Sequence, residues 1–176
     1  MKINPRLVKV AGGYGLTTSV ITIIAFLTFF YLGQQPWRNT LSLIVDVIVI
    51  GTMTFVATKD FRENENGGEL RFYHGMTIGF VIYAATALIF ALFYTLFMTV
   101  IQPDFLELYR QSMLEFLESR KDMLIANSSE ESFQAQIDGL KDVSVSGLAL
   151  DSFGKKVISG LFLAPIFSVI LRTRQR

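Results

Sequence analysis

Asp46 poses the clearest chemical question in this sequence, because it is the one charged residue in the apolar run 40–58. A carboxylate in a membrane-spanning helix costs about 2.5–3.5 kcal/mol on insertion scales and usually faces a bundle interior, where it needs a partner. At about 1.5 Å per residue, Asp46 lies roughly 18 Å from Thr58. Thr22 in the preceding apolar run and Thr86 in the following one lie at a matching depth, and Tyr83 and Tyr94 flank that level on one face. Three readings stay open: a structural carboxyl bonded to these hydroxyls, a proton or cation site, or a group at the interface. On the first reading Asp46→Asn is tolerated, since an amide can still bond the hydroxyls of Thr22, Thr86 or Tyr94.

The remaining polar chemistry is sparse. With one histidine and no cysteine, the chain offers no disulfide, thiolate metal site or cysteine nucleophile, and a zinc ion would need carboxylates for most of its ligands. No cofactor is implied. No G-x-S-x-G, H-E-x-x-H, Walker or Rossmann spacing occurs, and His74 has no evident serine and acid to join, so no enzyme activity is expected. His74 reads as a polar residue at a helix start or as a pH sensor. Asp60, Glu63, Glu65 and Glu69 alternate with Lys59, Arg62 and Arg71, which is the pattern of a solvated linker. A net charge of +1 argues against nucleic acid as a partner, because such domains concentrate basic surface.

The elements that must position these groups are apolar. Residues 75–102 hold no charged side chain, and as a helix they would reach about 42 Å, more than the roughly 30 Å of a bilayer's hydrocarbon core. A chain of 176 residues cannot bury such a helix in its own core, so lipid must be its solvent. Transmembrane helices are expected at about 10–33, 40–58, 74–102 and 154–172. The first follows Lys2, Arg6 and Lys9 and lacks a small-residue cleavage site, so it reads as an uncleaved anchor rather than a signal peptide. The fourth has only the uncharged run 157–171, short for a span, with Lys155 and Lys156 snorkelling to the interface; the alternative is an interfacial segment. Pro165 is expected to kink it.

Between the third and fourth spans the periodicity changes. Gln102-Pro103 stops the helix. Beyond it Phe105, Tyr109, Phe116 and Leu117 fall on one face of an amphipathic helix, opposite Glu107, Arg110 and Glu118. Ser128-Ser129-Glu130-Glu131 has the form of a capping box opening a second helix with Phe133, Ile137 and Leu140 on one side. The sequence thus predicts an all-α membrane protein forming a single membrane domain, with an extramembrane helical hairpin at about 104–150 inserted between helices 3 and 4. Phe105, Tyr109, Phe116 and Leu117 form its candidate partner surface, covered by the second hairpin helix, by lipid headgroups or by a partner.

Two further patterns concern packing and orientation. Ala11/Gly15, Gly75/Gly79, Ala87/Ala91 and Gly160/Ala164 repeat small residues four apart, which lets helices approach closely and is read first as packing within one chain. Basic residues at the amino end, in the second loop (Lys59, Arg62, Arg71) and in the tail (Arg172, Arg174, Arg176) place both termini and that loop in the cytoplasm, and the insert on the outer side.

Phe61-Arg62-Glu63, then Gly67-Gly68, then Leu70-Arg71-Phe72 leading into a helix that begins with small residues, resembles domain-of-unknown-function family 4199. The resemblance implies small bacterial four-helix membrane proteins with a helical insert between helices 3 and 4 and no assigned activity, hence a multi-pass protein of the bacterial inner membrane. The expected function is a non-enzymatic membrane protein whose insert contacts a partner, lipid or a second copy of itself. The alternative is a small proton- or ion-linked transporter or channel subunit centred on Asp46.

Overall fold

The computed structural model describes residues 5–173; Lys2, Arg174 and Arg176, which the orientation reading uses, lie outside the described residues. Those residues form seven helices with no strand among them. They are α1 (Pro5–Tyr31), α2 (Thr40–Asp60), α3 (Phe72–Leu96), α4 (Phe105–Glu118), α5 (Lys121–Asn127), α6 (Glu130–Lys141) and α7 (Val145–Leu171), with π-helical turns Phe61–Glu65 and Phe97–Ile101 extending α2 and α3. Four segments are long and apolar enough to cross a membrane: Pro5–Tyr31, Thr40–Glu65, Phe72–Ile101 and Val145–Leu171.

Local chemistry explains most boundaries. Asn39 caps α2, its side-chain oxygen accepting a hydrogen bond from the Leu41 amide at 2.9 Å. Gly67 and Gly68, at φ 61° and 84°, make the left-handed turn that a side chain would resist. Pro103 follows the end of the third span, and Ser129 caps α6 through the Ser132 amide at 3.1 Å. The fourth long helix begins at Val145, well before the expected 154, because charged residues such as Asp151 do not end a helix; only a breaker or cap does. It continues through Pro165, which a membrane helix tolerates when neighbours satisfy the freed backbone groups.

The chain divides into two compact units. The first comprises Met1–Ala91 and Ser152–Arg176. It packs Leu7, Ala11, Ala57, Phe61, Leu70, Ile78, Ile82 and Leu171 in one cluster, and Ile50, Tyr83 and Ala164 in another. Its polarity is inverted relative to a water-soluble bundle: Thr18, Ser19, Thr22, Thr54, Thr58, Thr86 and Ser168 are buried, while Leu16, Val20, Ile24, Ile48, Phe80, Leu88 and Phe162 face outward. Small hydroxyl residues inside and bulky aliphatics outside are what helix packing in lipid requires.

The second unit is Leu92–Asp151. Phe105 is fully buried against Tyr94 and Phe97, in edge-on contacts at 5.5 and 5.7 Å. Leu117 and Phe133 are also buried. The Arg110 guanidinium donates to the carbonyls of Lys141 and Val143 at 3.2 and 2.9 Å, satisfying acceptors left open at the end of α6. Burial, then the Asp151 carboxylate, raises Tyr109 above the ordinary tyrosine value of 10.0.

A candidate intramembrane ion pair

The site is built by the way α7 lies against α3. Small residues let the two helices touch: a Cβ on Gly75 would sit 2.5 Å from Ser168 Oγ, one on Gly79 would collide with Ala164, and one on Gly160 with Tyr83. Each step of four residues along α3 is therefore a step of four backward along α7, an antiparallel seam that uses two of the small-residue pairs within the chain. The next step in that register brings Lys156 to the level of fully buried Ala87. α1 closes on α3 in a similar way, a Cβ on Gly15 falling 3.1 Å from Ala85 Cβ. On the other side of α7, Gly51 of α2 admits Leu163 and Phe167.

This register places the Lys156 ammonium in contact with the Asp46 carboxylate, as a hydrogen-bonded ion pair between α7 and α2. The Lys156 side chain is 3% exposed and the Asp46 side chain 27%. Its ammonium also lies 3.9 Å from the centre of the Phe90 ring, a cation–π contact whose value rises when the cation is desolvated. One carboxylate, one ammonium and one aromatic face thus give a locally neutral, tightly paired group.

The hydroxyls expected around Asp46 are engaged elsewhere, which corrects the partner set. Thr22 Oγ1 donates to the Ser19 carbonyl at 3.0 Å, and Thr86 Oγ1 to the Gly15 carbonyl at 3.5 Å. Tyr83 packs on Gly160 and edge-on to Phe80, and Tyr94 belongs to the second unit, against Phe105. Thr22 follows the habit of a helical serine or threonine and takes a carbonyl three residues back, while Thr86 reaches across to a carbonyl of α1. Lys156 was the missed residue. The uncharged run beginning only at Val157 points Lys156 to the interface; an acid in one span and a base at the edge of another is the signal that would pair them.

The other expected sites fall as follows. Phe105 and Leu117 belong to the core of the second unit and are no free surface; Tyr109 and Phe116 are half-buried, with the Arg120 guanidinium 4.5 Å above the Phe116 ring. The outward apolar residues of α4 are Leu108 and Leu114. His74 is buried at the start of α3, its Nδ1 accepting from the Arg71 amide at 3.4 Å and its ring packed on Phe61 and Tyr73. The loop before it is tied to the end of α7: the Leu70 amide donates to Thr173 Oγ1 at 2.8 Å, the Thr173 amide to the Leu70 carbonyl at 2.9 Å, and Arg62 to the Leu171 carbonyl at 3.3 Å.

Four apolar helices with hydroxyls inside, aliphatics outside and an ion pair built on a buried lysine define an all-helical membrane protein. Within that class, the chain belongs to the DUF4199 family of proteins of unknown function, which it matches over residues 13–173. No curated protein and no solved structure matches it.

Proposed function

We propose that this is a non-enzymatic membrane protein in which the four long helices are an anchored scaffold and the segment at about 104–150 is an extramembrane insert that makes the functional contacts, with a partner, lipid or a second copy. The observation carrying this reading is that Leu92–Asp151 is a compact unit of its own, larger than a connection between two spans needs. The ion pair supports the scaffold role, since a carboxylate already held by an ammonium ties α2 to α7. For the same reason a transport site centred on Asp46 has less support. In the proposed arrangement both termini and the loop 61–71 face the cytoplasm of a bacterial inner membrane, and the insert faces outward. Reporters fused within residues 63–69 or after Arg176 should read cytoplasmic, and one near Asn127 external; an internal Asn127 reporter would defeat it. Purification in mild detergent with mass measurement of the intact complex then tests whether the insert holds a partner.

A further inference from the structure

One end of the first unit holds a cleft of about 530 Å³ between α1 and the end of α2, within the size range of small-ligand sites. Arg6 and Lys9 line it from α1, Asp60 and Glu65 from the extended end of α2, and Tyr14 and Thr17 lie deeper along α1. Cations and carboxylates thus share one opening. Lys9 and Glu65 nevertheless make no ion pair among the described residues. Gly13 keeps the cleft open, for a Cβ there would meet nothing within 4 Å.

The face of α1 that carries these cations continues along the helix. At 100° per residue, Arg6, Lys9, Gly13 and Thr17 share a stripe with Leu16, Val20 and Ile24, which are 59%, 55% and 56% exposed. The stripe therefore runs from two cations, through a glycine gap, to an outward aliphatic row. That is the profile of a phospholipid: a phosphate at the cations, the glycerol region at the gap and acyl chains along the aliphatics. The carboxylates add a selection, since a purely anionic headgroup would meet Asp60 and Glu65 as like charges, whereas a primary ammonium next to the phosphate would give them a donor.

We infer that this cleft binds a zwitterionic aminophospholipid, its phosphodiester held by Arg6 and Lys9, its primary ammonium by Asp60 and Glu65, and its chains along Leu16, Val20 and Ile24. The inference rests on the membrane assignment and not on the role proposed for the insert.

The full chain, purified in mild detergent, would be titrated with phosphatidylethanolamine, phosphatidylcholine and phosphatidylglycerol and the bound lipid counted by native mass spectrometry. Phosphatidylethanolamine should bind about tenfold tighter than the other two, the scale of one charge-assisted hydrogen bond, because the choline headgroup has no N–H donor and the glycerol headgroup has no ammonium. Gly13→Leu, whose Cβ would meet nothing within 4 Å and whose branch would extend into the gap, should weaken phosphatidylethanolamine binding by about the same factor with helix content by circular dichroism unchanged. Asp60→Asn with Glu65→Gln should abolish the preference over phosphatidylglycerol, and Lys9→Gln should weaken both. Equal binding of the three lipids, or full binding by a folded Gly13→Leu protein, overturns the proposal. Binding of glycerophosphoethanolamine as tight as that of the intact lipid would assign the cleft to a soluble ligand and also overturn it.

Discussion

Asp46→Asn is the substitution on which the sequence and the structure disagree most sharply. If the carboxylate were held by threonine and tyrosine hydroxyls, an amide would serve nearly as well. The structure instead gives it an ammonium whose side chain is 3% exposed, so Asp46→Asn removes the countercharge of a buried cation and leaves it only an uncharged amide oxygen and the Phe90 ring. Breaking a buried pair by removing one partner typically costs about 3–5 kcal/mol, while replacing both partners by groups that carry no charge is often near neutral. We therefore expect Asp46→Asn and Lys156→Met each to lose about 3 kcal/mol or more, and the double variant to lie within about 1 kcal/mol of the parent, a coupling of several kcal/mol of favourable sign. A coupling of about 3 kcal/mol is more than a hundredfold in the folding equilibrium and readily resolved. The assay is reversible unfolding of the purified protein in mixed micelles, followed by circular dichroism, with all four members of the cycle under one set of conditions. An Asp46→Asn variant within about 1 kcal/mol of the parent, or losses that simply add in the double variant, would refute the pairing as the structural tie between α2 and α7.

Other expectations follow from the packing. Gly79→Leu and Gly160→Leu drive side chains into Ala164 and Tyr83 and should each cost about 1–3 kcal/mol or more in the same unfolding assay, whereas Gly12→Ala, which meets nothing within 4 Å, should be neutral or stabilising. Phe105→Ala empties the core of the second unit and should cost about 3–5 kcal/mol, read as lost amide protection over 105–141 by hydrogen exchange. Arg110→Ala removes the donor to the Lys141 and Val143 carbonyls and should raise exchange at the end of α6 by about tenfold, the scale of one or two hydrogen bonds. Tyr109 should stay protonated past pH 10.0. Because its folded value is raised, the stability it contributes is intact below the ordinary tyrosine value and lost as pH rises through the folded one, which ring-carbon NMR of Tyr109 against a Tyr109→Phe control would follow.

The sequence by itself determined the solvent. Uninterrupted apolar runs longer than a bilayer is thick can satisfy their backbone groups only as helices in lipid, and no tertiary information is needed to conclude that. Asn39, Gly67-Gly68, Pro103 and Ser129 announce local turns and caps through their own backbone chemistry, so those boundaries were legible too. The start of the fourth helix was not, because charge near its first turns masqueraded as a boundary while nothing local stopped the helix. The partner of Asp46 was decided only by tertiary structure. Depth alone put Thr22 and Thr86 level with it, but Thr22 bonds a carbonyl of its own helix and Thr86 one of α1. Which side chain then faces the carboxylate depends on the register between α7 and its neighbours. That register is set by close contacts at Gly75, Gly79 and Gly160, residues distant in sequence whose spacing permits the fit but does not name its mate.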